Sequence, residues 1–250
     1  MKRYIRSAVS NILNEPAELR IKMAGDPTTS KRDLATIYED AVRVTGFFAE
    51  SIKRAMTTNP NIPEDIAREL AKDEDKNIRL WLSRNENLPD DVFETLANDW
   101  NLGTRIRLAE NPKTSMYALA ILAHDPDEDV RYTVAENPQP LSREILQRLV
   151  LDDDYNVRGN VADRRDIPAD LLSQLVNDES YYVRWSVADN PNVASEDLVK
   201  LADDPEWRVR WSTAKNDNAT VETLIKLTED DSDTVATKAK ESLSARGYQI

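Results

Sequence analysis

A unit of about 26 residues recurs down most of this chain, and no other feature limits its folding as strongly. With the residue that precedes an arginine or its stand-in as anchor, Ile52, Ile78, Thr104, Val130, Val157, Val183, Val209 and Val235 follow at intervals of 26, 26, 26, 27, 26, 26 and 26. A single closed core has no use for such a period. An array of short stacked units does, because each unit buries its apolar face against its neighbours. The 250 residues are therefore read as one elongated array instead of one or two globular domains.

Each unit reads as a pair of helices. Val130-Arg131-Tyr132-Thr133-Val134-Ala135-Glu136-Asn137-Pro138 places apolar residues at steps 0, 4 and 5 on one helical face. The Asn-Pro pair then ends the helix, since proline biases the residue before it away from helical geometry and has no amide to donate. It recurs at Asn59-Pro60, Asn111-Pro112 and Asn190-Pro191. A second segment, such as Ile62-Pro63-Glu64-Asp65-Ile66-Ala67-Arg68-Glu69-Leu70-Ala71, opens on proline and acids that suit a helix N-terminus. Its apolar stripe at 62, 66, 67, 70 and 71 is repeated in Leu88, Val92, Phe93, Leu96 and Ala97. Helices of about ten residues do not hold together alone in water, so stacking must supply the burial.

Two ladders follow from the period. An aspartate lies five residues before each anchor from Ile78 on, at Asp73, Asp99, Asp125, Asp152, Asp178, Asp204 and Asp230. An arginine follows the anchor at Arg79, Arg105, Arg131, Arg158, Arg184 and Arg210, with Lys53 ahead of the series and Ala236 ending it. The structural expectation is that each guanidinium bridges carboxylates of its own and neighbouring turns.

The unit Val183-Arg184-Trp185-Ser186-Val187-Ala188-Asp189-Asn190-Pro191, followed by Leu198, Leu201, Ala202 and Asp204, resembles the variant leucine-rich repeat family, which is akin to HEAT and armadillo arrays. The resemblance covers nearly the whole chain. It implies an all-α, right-handed solenoid of about nine two-helix repeats, in which one helix of each pair is short or 3₁₀. Some members carry an N-terminal iron–sulfur cluster; the absence of cysteine keeps that feature from this chain. Residues 1–18, with Ile5, Ala8, Val9, Ile12 and Leu13 on one face, read as an N-terminal capping helix. Residues 19–246 read as a single solenoid closed by a second cap over 232–246, and 247–250 as a tail.

The array has irregularities. Leu19-Arg20-Ile21-Lys22-Met23-Ala24 matches the unit but lies 33 residues before Ile52, so seven residues are inserted around 37–51. Tyr38, Phe47 and Phe48 fall in that stretch and are expected to pack against the N-terminal cap, with a docking knob as the alternative. An extra residue near Pro138-Gln139-Pro140-Leu141 produces the interval of 27. The next unit carries Arg164-Arg165 in place of Asn-Pro, read as a solvated turn self-paired with Asp163 and Asp166.

Function must come from what varies on this frame. One step after the ladder arginines stand Arg54, Leu80, Ile106, Tyr132, Gly159, Trp185 and Trp211, and this variation suggests a surface position that writes specificity. Aromatic residues gather late, with Tyr181, Tyr182, Trp185, Trp207 and Trp211 in two adjacent repeats. The expected partner-binding set is Arg131, Tyr132, Arg158, Tyr181, Arg184, Trp185, Trp207, Arg210 and Trp211, aromatic and arginine residues being those that dominate protein interfaces.

The expected function is a non-enzymatic scaffold that binds another protein, itself monomeric or weakly self-associating. The first alternative is a nucleic-acid-binding solenoid with DNA glycosylase-like activity; the second is a spacer or assembly module. A net charge of −13 disfavours nucleic acid and anionic membranes. The one histidine, His124, has no triad around it, and the acidic turns lack the alternating ligands and central glycine of a calcium loop. No cofactor or metal is expected. Without a signal peptide or an apolar run long enough to span a membrane, the expected location is the cytoplasm.

Overall fold

The computed structural model describes residues 12–43 and 46–249. Most of the expected N-terminal capping helix, residues 1–11, lies outside the described residues. Among those described there are seventeen α-helices and no strands. The architecture is an all-α repeat solenoid, in which first helices carrying the anchors alternate with short second helices.

One unit runs to Val130. Its first helices are α1 (Ala17–Gly25), α3 (Phe47–Thr57), α5 (Lys76–Leu82) and α7 (Leu102–Glu110). Its second helices are α2 (Lys31–Ala41), α4 (Glu64–Leu70), α6 (Asp90–Ala97) and α8 (Met116–Leu122). First helices pack on first helices, α1 on α3, α3 on α5 and α5 on α7, while α4 packs on α6 and α6 on α8. The other unit begins at Arg131, within α9 (Glu128–Glu136). It continues through α10 (Arg143–Leu149), α11 (Tyr155–Asp163), α12 (Ala169–Leu175), α13 (Tyr181–Asp189), α14 (Ser195–Leu201), α15 (Trp207–Lys215), α16 (Val221–Leu227) and α17 (Asp233–Ala245). Here α11, α13, α15 and α17 stack in succession.

Local chemistry explains the breaks. Second helices open after Pro63, Pro89 or Pro168, whose fixed φ leads into the helix, or after Ser115, Ser142 or Thr220, whose hydroxyls accept the amide three residues on. These second helices are α-helical and only seven or eight residues long. Every anchor from Ile52 to Val235 is buried, and so are Ile66, Leu70, Val92, Leu96, Leu146, Leu172 and Leu198 from the second helices. The core is a strip threaded between the two layers.

With the seven inserted residues α2 runs to 11 residues, and α3 is entered through Gly46 at φ 94. Of the aromatics there, Tyr38 is buried and Phe48 lies under the Arg20 guanidinium at 4.6 Å, while Phe47 is 83% exposed. The expected packing of all three against the N-terminal cap involves residues outside those described. At the far end α17 extends to 13 residues, and Arg246 closes the stack by donating to the carbonyls of Ala219, Asn216 and Asp217.

Candidate partner-binding face

The ladder arginines set the frame of the face. Each reaches forward to the aspartate of the following repeat. Arg158 Nε and Nη2 donate to Asp178 Oδ2 and Oδ1 at 2.6 and 2.9 Å, and Nη1 donates to the backbone carbonyl of Asp152 at 2.7 Å. Arg184 holds Asp204 and Arg210 holds Asp230 in the same bidentate way, and Arg131 holds Asp152. In the other unit the rungs are Arg79 to Asp99 and Arg105 to Asp125, with Lys53 giving Asp73 a single bond and Arg20 paired with Asp40. The bridge thus runs from a carboxylate of the next repeat to a carbonyl of the arginine's own turn, where sequence alone suggested carboxylates on both sides. Each aspartate from Asp73 to Asp230 in this ladder also accepts the amide two residues on, as Asp178 does from Ser180 at 2.9 Å.

Charge pairing shows in the acids. The Asp230 carboxyl lies below the usual 3.8 chiefly because it accepts from Arg210. At Asp152 burial pushes upward, but the bonds from Arg131 and the Asp154 amide outweigh it and hold the group low. The predicted site residues Arg131, Arg158, Arg184 and Arg210 are thus placed with their guanidinium groups already hydrogen-bonded.

A second ladder, of asparagines, was read from sequence only as a stop signal. Asn85 Nδ2 donates to Thr57 O and Asn59 O, both at 2.9 Å, and its Oδ1 accepts from Asn87 N. Asn59, Asn111, Asn190 and Asn216 repeat this bridge to the preceding repeat. The signal was present: asparagine persists at Asn85-Glu86 and Asn216-Asp217, where the proline is gone. At the repeat that lacks it, Arg164 takes over, with Nη1 on Ala135 O and Asn137 O at 2.7 and 2.8 Å and Nη2 on Gln139 O at 2.6 Å. Arg164 is paired with Asp166 as expected, but its side chain is buried and not solvated.

Between the arginine rungs, the first helices present positions −2, −1, +2 and +6 from the anchor. Tyr181 is 50% exposed, Trp207 40% and Trp185 36%, while Trp211 and Tyr132 are partly covered. Trp185 meets Tyr182 at 5.9 Å, and Tyr182 meets Tyr155 edge-on at 6.4 Å. The ring beside Trp185 is therefore Tyr182 and not Trp211, which lies under the Lys215 ammonium at 5.7 Å. Gly159, taken from sequence as a mark of an open surface, is buried beneath Tyr182. A Cβ there would stand 2.3 Å from Tyr182 Cε1, so the missing side chain makes room for a neighbour's ring.

Position +6 is mostly acidic in this unit. Asp189 is bridged by Lys215 at 2.8 Å, whereas Glu136 and Asp163 carry no ion pair among the described residues. The Asp163 carboxyl, on a residue that is itself exposed, is pushed up by desolvation, against the lowering effect of the Ser186 hydroxyl, and further by the charge of Asp189. The Tyr182 phenol is raised by burial and then by the charge of Asp163.

No family model matches the chain, and no curated protein matches its sequence. Among solved structures, one described as a leucine-rich repeat variant with a novel repetitive structural motif is 24% identical, covers 87% of this chain and 87% of its own, and superposes with a TM-score of 0.62. The fold is that of the leucine-rich repeat variant. An engineered protein (13% identity, 97% and 88% coverage, TM-score 0.37) and a designed armadillo repeat protein in complex with the peptide (KR)4 (16%, 92% and 99%, TM-score 0.29) also match, but at those scores they add nothing to the assignment. Among the described residues no group of three or more His, Cys, Asp or Glu side chains is arranged to hold a metal, and no helix is long and apolar enough to cross a membrane.

Proposed function

We propose that this protein is a non-enzymatic repeat scaffold that binds a protein partner through the first-helix face of α9 to α15. The observation that carries the reading is the exposure of Tyr181, Trp185 and Trp207 on a face whose frame is already fully bonded. Large rings left partly wet on rigid helices lose little conformational entropy on docking and bury large area when covered. Tyr132 and Trp211 extend the same face. Arg131, Arg158, Arg184 and Arg210 contribute by fixing the helices that carry the rings. The same bonding weakens the nucleic-acid alternative, because guanidinium groups held by carboxylates are not available to phosphates.

The test is affinity capture from nuclease-treated lysate, comparing the wild type with Trp185→Ala/Trp211→Ala and with Trp100→Ala, a ring 72% exposed elsewhere. Arg184 is left intact because it holds Asp204. The expected result is a protein lost from the double variant by about tenfold and retained by Trp100→Ala, with helicity unchanged. Equal capture by all three refutes the face, and capture of nucleic acid in its place refutes the partner class.

A further inference from the structure

Four departures from the repeat meet at one junction, that of α9 with α11. The interval there is 27 instead of 26, Arg164 replaces the ladder asparagine, Gly159 leaves the +2 row empty, and the +6 acids stand without cations. The first two are linked physically. The turn with the extra residue, Pro138-Gln139-Pro140, is the one that Arg164 bridges, its longer side chain reaching the carbonyls of Asn137 and Gln139 where other repeats use an asparagine. The result is a groove of ≈ 650 Å³ lined by Glu136, Asn137, Pro138, Asn160, Asp163 and Arg165, among others, with the Arg164 bridge within it.

The electrostatics of this groove are incomplete. Elsewhere in the +6 row an acid has its cation, Arg107 for Glu110 and Lys215 for Asp189. Asp166 is neutralised by Arg164. Among the described residues Glu136 and Asp163 have none, and Arg165 on the rim is exposed. One polar atom of the lining, Asn160 Nδ2, is buried without a hydrogen bond, and Ser186, on α13, faces Asp163 and Tyr182. Tyr132, one helical turn before Glu136, and Tyr182, over Gly159, supply aromatic surface next to the acids. Carboxylates without cations beside aromatic faces are complementary to an organic cation on an alkyl stem.

We propose that this groove receives a lysine or arginine side chain from an extended basic segment of the partner, its charge set between Glu136 and Asp163 and its stem against Tyr132 and Tyr182. The inference rests on the aromatic-face reading and adds to it the chemistry of the bound segment. A net charge of −13 draws such a segment in from a distance, and the groove decides where it stops.

The experiment is fluorescence polarisation with a fluorescein-labelled octapeptide of alternating lysine and serine, at about 150 mM salt so that diffuse attraction is screened. Its glutamate counterpart serves as the negative probe. Glu136→Gln/Asp163→Asn is compared with Glu222→Gln/Glu229→Gln, which makes the same change in net charge at exposed positions elsewhere in the same unit. The expected result is about a tenfold loss of affinity in the groove variant and less than about twofold in the control. Equal losses in both, or no binding of the lysine peptide by the wild type, overturn the proposal. Circular dichroism confirms that both variants are folded. Trp185→Ala/Trp211→Ala separates the two readings: loss of capture in that variant without a selective loss in the groove variant keeps the face and removes the groove, and the reverse pattern removes the face.

Discussion

Asn85→Ala should be among the most damaging single substitutions in this protein, although it removes no apolar contact from the core. Asn85 is buried and joins three backbone groups: Nδ2 donates to Thr57 O and Asn59 O at 2.9 Å each, and Oδ1 accepts from Asn87 N at 2.9 Å. At about 1 kcal/mol net per bond, the loss is about 3 kcal/mol. Asn59 O keeps the Ile62 amide as a second donor and the Asn87 side is exposed, so the figure is not enlarged by three stranded groups. No proline follows Asn85, which separates the bridge from the helix stop. Because a repeat array can open one interface at a time, the assay is urea unfolding combined with amide hydrogen exchange over α3 and α5. The expected result is a loss of about 3 kcal/mol with protection falling first on both sides of this junction. Asn85→Asp adds a check of sign. Its carboxylate would face two carbonyl oxygens in a buried site, so its folded pKa lies above the unfolded value. It should therefore be worse than alanine at neutral pH and recover as pH falls through the folded pKa. A loss below about 1 kcal/mol, or exchange changes remote from α3 and α5, refutes the bridging argument.

Three further outcomes follow from the same geometry. Asp152 and Asp230 have folded pKa values held below 3.8 by their arginines, so their stabilisation is complete above that value and is lost as pH falls through the folded pKa; unfolding followed by circular dichroism should show this, and an Asp230→Asn variant should be less stable than wild type at neutral pH and converge with it in acid. Asp163→Asn should do the opposite, raising Tm at neutral pH with an advantage that fades as pH falls through the raised pKa of the wild-type carboxyl; a lower Tm at neutral pH would show that Asp163 is satisfied where it stands. Gly159→Ala should displace the Tyr182 ring at a cost of about 1–3 kcal/mol, partly offset by better helix propensity, and should shift Trp185 fluorescence; unchanged fluorescence and stability would mean the ring moves freely.

Much of the array is legible without coordinates. The 26-residue period implies stacking, the spacing of Val183, Val187 and Ala188 implies a first helix, and Pro63 with Glu64 and Asp65 implies the start of a second. That arginines and aspartates form parallel ladders also follows from their fixed offsets. These are properties of one unit repeated, and short-range periodicity carries them because neighbouring residues share a helix whatever lies beyond it.

What joins one unit to the next was decided only in three dimensions. Arg158 finds the carboxylate of Asp178 and not that of Asp152, because the stacking offset between repeats brings the following turn into bidentate reach and leaves only a carbonyl on the arginine's own side. Asn190 looks like a helix stop until the preceding repeat places the carbonyls of Ala162 and Arg164 against its amide. Gly159 looks open until Tyr182 covers it, and Arg164 looks like a solvated turn until the longer interval gives it three carbonyls to bind. In each case the partner lies 20 to 29 residues away. Sequence periodicity states which positions are equivalent, but the rise and rotation between stacked helices determine which of them touch, and that offset is set by packing of the whole interface.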